Sequence, residues 1–197
     1  AALAIPAVLG LIALQRRRVK WDDDADRTAQ WMASPLSDIR LVWDTPALRW
    51  TALASFFFSA TQLCLTVFTV TLLVEDLNIA LVTAGLVMAA VQICGVGGRV
   101  LWGWVADRLA NGSLALLVIN ALAVILALVV ALMQPDWPLA VVAIVLCLFG
   151  ALALGWNGVY LAEIARNAPA GQVARASGGS LFITFSGVLI GPAAFTG

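Results

Sequence analysis

Five stretches of this 197-residue chain run for twenty residues or more without a single Asp, Glu, Lys or Arg: 50–74, 79–98, 113–133, 138–162 and 177–197. An α-helix rises 1.5 Å per residue, so about 20 apolar residues cross the ~30 Å hydrocarbon core of a bilayer. The runs are continuous rather than alternating, which argues against the strands of a transmembrane barrel. Composition agrees, since 62% of residues are hydrophobic and only 11% are charged. Soluble domains carry about 25% charged residues, so too little polar surface remains here to cover one. The expected fold is all-α, a polytopic transmembrane helical bundle. A sixth run, 1–14, is too short to span, and its basic flank lies on the wrong side for a signal peptide. It reads as the end of a transmembrane helix, which makes the chain a partial bundle: five complete spanning helices plus the tail of one.

The segments between the runs fix an orientation. Eleven basic residues are sorted without exception onto alternate segments: seven in 15–49, two in 99–112 and two in 163–176, with none in 75–78 or 134–137. The positive-inside rule places 15–49, 99–112 and 163–176 in the cytoplasm. Formal net charge is zero, yet the zero separates into a basic face and an acidic one. Trp50, Trp102, Trp104 and Trp137 lie near span ends, where an aromatic belt belongs.

Several chemistries are excluded or unsupported. There is no histidine, which rules out H-E-x-x-H zinc proteases and Ser-His dyads. Cys64, Cys94 and Cys147 fall inside spans and read as small apolar residues. The acidic run 22–26 has neither the glycine turn nor the distal Glu of a calcium loop, so it reads as a solvated patch beside Arg16, Arg17 and Arg18. No catalytic residue, metal ligand or cofactor is expected, nor a nucleic-acid partner. Within 15–49, Ser34-Pro35 and Thr45-Pro46 each pair an N-cap residue with a proline at the first helical position. The first predicts a short interfacial helix carrying Leu36, Ile39, Leu41, Val42 and Trp43, and the second opens the next span.

Polar residues inside the spans are the functional candidates. Ser55, Ser59, Gln62, Thr66 and Thr69 share one helix face. Such a stripe faces protein or a water-filled cavity, and Ser and Thr also serve as ordinary helix–helix contacts. Gln62, large and near mid-span, favours the cavity, and Gln92 repeats the theme on its own helix. A second stripe, Ser177, Ser180, Thr184, Gly187 and Gly191, is dominated by small residues and favours close packing. Gly191-Pro192 removes a backbone hydrogen bond and predicts a kink. Gly155, Trp156, Asn157, Gly158 and Tyr160 interrupt an aliphatic run, which suggests a backbone bend where side chains meet a ligand, or an interfacial aromatic anchor. Arg99, Asp107, Arg108, Glu163 and Arg166 cluster at helix ends on the basic side, either as a network that shuts that side or as solvated surface pairs.

Segment 98–108 reads G-R-V-L-W-G-W-V-A-D-R. It resembles the G-R-x-x-x-G-x-x-x-D-R signature of major facilitator superfamily transporters, found in the cytoplasmic turn after the second helix of each six-helix half. Residues 155–166 and the later Gly187-x-x-x-Gly191-Pro192 are similar to the carboxyl-terminal half of bacterial members, and 15–49 resembles the linker between halves. The resemblance covers essentially the whole chain. It implies a span from the end of helix six through helix eleven: 1–14 closing a helix, 15–49 the inter-half linker, and 50–197 a carboxyl-terminal bundle lacking its last helix. The opposite assignment, a first half with an added leading helix, fits the motif but explains 15–49 less well. Two departures stand out. Leu109-Ala110-Asn111-Gly112 replaces the usual glycine and paired bases, and Phe195 breaks the glycine pair of an antiporter element, so exchange is not inferred.

The resemblance implies a secondary transporter moving a small solute across the bacterial inner membrane by alternating access, together with a missing amino-terminal half and the lipid bilayer. Gln62, Thr66, Gln92, Trp156, Asn157 and Tyr160 are then substrate-cavity candidates. Arg99, Gly103, Asp107, Arg108, Glu163 and Arg166 are candidates for the cytoplasmic gate, with Asp107 and Arg99 the expected partners. No span contains an ionisable group, so a coupling carboxylate would come from the other half, or transport would be uncoupled. Two other readings are an ATP-driven permease subunit, for which Glu163-Ile164-Ala165 resembles the docking loop but with its glycine displaced to Gly171, and a membrane scaffold or sensor.

Overall fold

The computed structural model describes residues 35–196. The 1–14 helix tail, the acidic run 22–26 and the first part of the 15–49 linker lie outside the described residues. Within them every regular element is helical: α1 (Pro35–Asp44), α2 (Pro46–Thr71), a π-helical turn prolonging it (Leu72–Asp76), α3 (Leu81–Leu109), α4 (Gly112–Ala131), α5 (Leu139–Ala153), α6 (Trp156–Asn167) and α7 (Val173–Thr196). Five stretches are long and apolar enough to cross a membrane: Pro46–Asp76, Leu81–Leu109, Gly112–Ala131, Leu139–Asn167 and Val173–Ala194. They coincide with the five uncharged runs, and the chain is a multi-pass integral membrane protein. Ile93, Leu117, Ile125 and Leu189 stand exposed around the bundle, as lipid-facing residues do.

The helices extend further than the apolar runs. The signature segment is not a turn: α3 is helical through Arg108 to Leu109, and the connection is only Ala110, left-handed at φ 50°, and Asn111. Asn111 Oδ1 accepts the Leu114 N–H at 2.9 Å and caps α4. Segment 163–176 is likewise helical to Asn167 and again from Val173. Charge limits burial in hydrocarbon, not helix formation. A helix of 29 residues is about 44 Å long, enough to carry its charged end beyond the ~30 Å core.

Close helix pairs form where small residues remove side-chain bulk. On α7, a Cβ at Gly187 would strike the Phe56 carbonyl and sit 2.5 Å from Ser59 Oγ, so α7 lies almost directly on the α2 backbone. On α3, a Cβ at Gly98 would run into the Ala151 carbonyl group of α5. With lipid on the outside, helices associate through such van der Waals contact rather than through hydrophobic exclusion. α7 continues through Pro192 to Thr196, and Pro192 leaves the Val188 carbonyl without its usual i+4 donor.

Pro46 is the first residue of α2 as expected, but Thr45, extended at φ −99°, makes no side-chain cap bond. The helix expected after Ser34-Pro35 does form as α1, and its face is divided. Leu36 and Trp43 are exposed, whereas Val42 is fully buried. Arg175 at the start of α7 holds α1, its Nε donating to Asp38 Oδ1 at 2.8 Å and its Nη2 to Ser37 Oγ at 3.3 Å. Gly179 lets the backbone of Asp38 and Ile39 lie against α7.

Candidate functional site

The run 138–162, which crosses as one span, is broken in its backbone. α5 ends at Ala153 and α6 begins at Trp156, with Leu154 and Gly155 between them. Gly155 N donates to the Leu152 carbonyl at 3.2 Å, a tightened final turn. The break is cradled by α3: a Cβ at Gly155 would lie 2.9 Å from Trp102 Cδ1 and 3.0 Å from the Gly98 carbonyl carbon. The Leu154 carbonyl accepts Arg99 Nε at 3.0 Å. The break therefore rests on the opening residues of the signature.

Just past it, α6 presents Trp156 and Asn157 to α2. Trp156 Nε1 donates to Gln62 Oε1 at 3.1 Å, and Asn157 Nδ2 donates to the same oxygen at 3.2 Å. An indole N–H is only a donor, so it fixes the Gln62 amide with its oxygen inward. Asn157 shares that oxygen and thus turns its NH2 toward it. Gln62 Nε2, a donor, and Asn157 Oδ1, an acceptor, are left without a partner among the described residues. Trp156 is held rigidly, fully buried, stacked on Phe58 at 5.2 Å and 13°, with the Tyr160 ring tilted against it at 5.3 Å.

Behind this lies a buried hydroxyl cluster joining α2, α6 and α7. Thr184 Oγ1 lies 2.6 Å from Ser55 Oγ and 3.1 Å from Tyr160 Oη, and it donates to the Ser180 carbonyl at 2.9 Å. Ser59 Oγ donates to the Thr184 carbonyl at 2.6 Å. The two polar stripes are thus one interface rather than two surfaces. Ser180 Oγ, in the same stripe, is buried with no partner among the described residues.

At the basic end the five charges divide. Asp107 Oδ1 meets Arg166 Nη2 at 3.5 Å, and Arg166 Nη1 lies 3.9 Å from Glu163 Oε2. Glu163, almost fully buried, accepts Ser113 Oγ at 2.7 Å and Asn167 Nδ2 at 3.1 Å through Oε1. Asp107, Gly103, Gly158, Ala162 and Arg166 line a cavity of about 230 Å3 there. Gly103 and Gly158 leave their sides of it open, with nothing near a Cβ position. Arg99 belongs to the helix break instead, and Arg108 lies over the Trp104 ring at 4.9 Å.

The structure therefore brings Gln62, Trp156 and Asn157 together, and Tyr160 behind them. Thr66 donates to the Gln62 backbone carbonyl at 2.8 Å, half-buried, one turn further along α2. Gln92 is exposed on α3 and takes no part in this cluster. Asp107 finds Arg166 rather than Arg99 because residues 99 and 107 are eight apart on one helix, too far along the axis to touch. Gly191 packs against Ala60, and Pro192 continues the helix. Sequence reasoning missed Ser113 and Asn167 as partners of Glu163, and Asp38 as partner of Arg175. A larger groove, about 690 Å3, opens between α2, α4, α5 and α7, but it is walled mainly by apolar side chains such as Phe56, Phe68, Phe149 and Ile190, and neither Gln62 nor Asn157 lines it.

Among known proteins, the family model described as Major Facilitator Superfamily matches residues 1–192. No curated protein and no solved structure matches the chain.

Proposed function

The chain belongs to the Major Facilitator Superfamily, a family of transporters rather than of enzymes, and from that premise we propose that it forms the carboxyl-terminal half of a permease. This half moves a small solute across a bacterial inner membrane by alternating access, rocking against an amino-terminal half about a site near the midplane. Residues 1–14 close the preceding helix, 15–49 link the halves, and 50–197 form the bundle, with the basic segments in the cytoplasm.

The observation that carries the reading is the Gln62–Trp156–Asn157 cluster. It is a polar group set on a lipid-embedded scaffold, locked by a donor-only indole and left with one free donor and one free acceptor. Polar side chains at that depth are costly unless they meet protein or a hydrated path. A free amide N–H beside a free amide oxygen suits a neutral solute with hydroxyl or amide groups. Tyr160 and Thr66 support the cluster from neighbouring turns. At the cytoplasmic end, Asp107 and Arg166 join α3 to α6, while Glu163 is tied to Ser113 on α4; separating these helices breaks the first pair. Gly103 and Gly158 keep room for that movement.

The test is uptake by the full-length protein in cells, scanned over neutral polar solutes. Gln62→Leu and Asn157→Leu each abolish uptake at unchanged protein level, whereas Gln92→Leu, outside the cluster, reduces it less. Full uptake by both cluster variants for every transported solute would refute the reading.

A further inference from the structure

We propose that Arg99 is a positioning residue, capping the broken helix so that Trp156 and Asn157 meet Gln62. The inference rests on the cavity reading above for its functional meaning, but its structural claim stands separately.

Three residues of α3 touch the two residues of the break and Ala151 in the last turn of α5. Gly98 removes the bulk that would separate α3 from Ala151. Arg99 donates Nε–H to the Leu154 carbonyl at 3.0 Å, across 55 residues of sequence. Trp102 and Gly98 together enclose Gly155. A break in a spanning helix releases carbonyls that water does not reach, and each needs another donor. Leu154 lies outside both α5 and α6, and the guanidinium supplies its donor. Two residues later comes Trp156, whose indole reaches Gln62. The direction in which α6 leaves the break thus decides whether that bond forms.

The alternative is a basic residue marking the cytoplasmic boundary, acting through charge alone. The geometry speaks for the cap. None of the ion pairs among the described residues includes Arg99. The hydrogen bond is made by Nε, close to the stem. A boundary charge needs no fixed donor, and Lys replaces it freely.

The experiment reads the indole 15N–1H resonance of Trp156 in the full-length protein in lipid nanodiscs, without solute, assigned by its loss in Trp156→Phe. Arg99→Met, which fills the same space without any N–H donor, shifts the Trp156 line by more than its width while total helicity is unchanged. Arg99→Lys, with the charge but no Nε–H, gives a smaller shift in the same direction. Asp107→Asn, at the other end of the signature, leaves the line in place. A Trp156 line in Arg99→Met identical to wild type overturns the proposal. Should Arg99→Met not accumulate, Arg99→Lys decides: a wild-type line there means charge alone matters, and the cap is refuted. Because no solute is present, this result is distinguishable from failure of the transport reading, which only uptake reports.

Discussion

Gly97 and Gly98 are adjacent on α3, yet the structure gives them opposite surroundings, so one methyl group at each makes a sharp test of the α3–α5 contact. A Cβ at Gly97 has nothing within 4 Å, whereas a Cβ at Gly98 would lie 2.8 Å from both the Cα and the carbonyl carbon of Ala151, with the carbonyl oxygen nearer still. Carbon atoms rest at about 3.5–4.0 Å, so Gly98→Ala must drive the helices apart by at least about 0.7 Å. That displacement carries the 3.0 Å Arg99–Leu154 bond to about 3.7 Å, beyond hydrogen-bonding range. Overpacking costs about 1–3 kcal/mol, and the partly exposed bond adds about 1 kcal/mol. Both substitutions gain about 0.5–1 kcal/mol from replacing glycine in a helix. The expected outcome is that Gly97→Ala stabilises by about 0.5–1 kcal/mol and Gly98→Ala destabilises by about 1–3 kcal/mol. Reversible unfolding of the full-length protein by SDS in mixed micelles, followed by far-UV circular dichroism, measures both. Two variants that agree within about 0.5 kcal/mol, a difference that surface substitutions commonly produce, would refute the close contact and with it the cradle of the break.

Exposed ion pairs contribute about 0–1 kcal/mol, so Asp107→Arg, breaking a pair whose side chains are 77% and 48% exposed, changes stability little while it impairs uptake. The double change Asp107→Arg, Arg166→Asp restores part of the uptake, and failure of that rescue at normal protein level counts against the latch. Glu163→Ala removes the charged acceptor of Ser113 Oγ and of one of the two Asn167 Nδ2 bonds; loss of hydrogen bonds to a charged group costs about 1–3 kcal/mol, seen as an earlier SDS midpoint. Arg175→Ala removes the bond that holds α1 to α7, so trypsin cleaves after Arg40 and Arg49 faster than in wild type; equal rates would show that Val42 burial alone docks the helix.

The span count was legible because hydrocarbon excludes charge, and the runs 50–74, 79–98 and 138–162 each end directly before a charged residue, Glu75, Arg99 and Glu163. Helix ends were not, since the i+4 ladder continues past the membrane surface until something like Ala110 or Asn111 stops it. The break at 154–155 announced itself through Gly155. Its anchor did not, because Arg99 reads as a boundary charge until the neighbouring helix is placed. Helical periodicity shows which residues share a face but not which helix that face meets. Ser55 and Thr184 were therefore found as two stripes, and only the fold made them one contact. Gln92 shows the converse, a mid-span polar residue whose face meets no polar partner in this bundle. The Asp38–Arg175 bond joins residues 137 apart, a distance no local pattern bridges.

The wide turn Leu72–Asp76 bears on how this chain tolerates insertions and deletions. Adding or losing one residue inside a regular α-helix rotates everything beyond it by about 100°. Within 55–62 such a change would swing Ser55, Ser59 and Gln62 onto different sides of α2. A π-helical turn already holds one residue more than the α-helical path requires, and here Leu73 within it and Leu77 just after it are both buried. A one-residue deletion there can relax the turn to α-helix and leave the polar face below it in phase. Length variation in this helix is thus absorbed at its acidic end, and the register of Ser55, Ser59 and Gln62 is insulated from it.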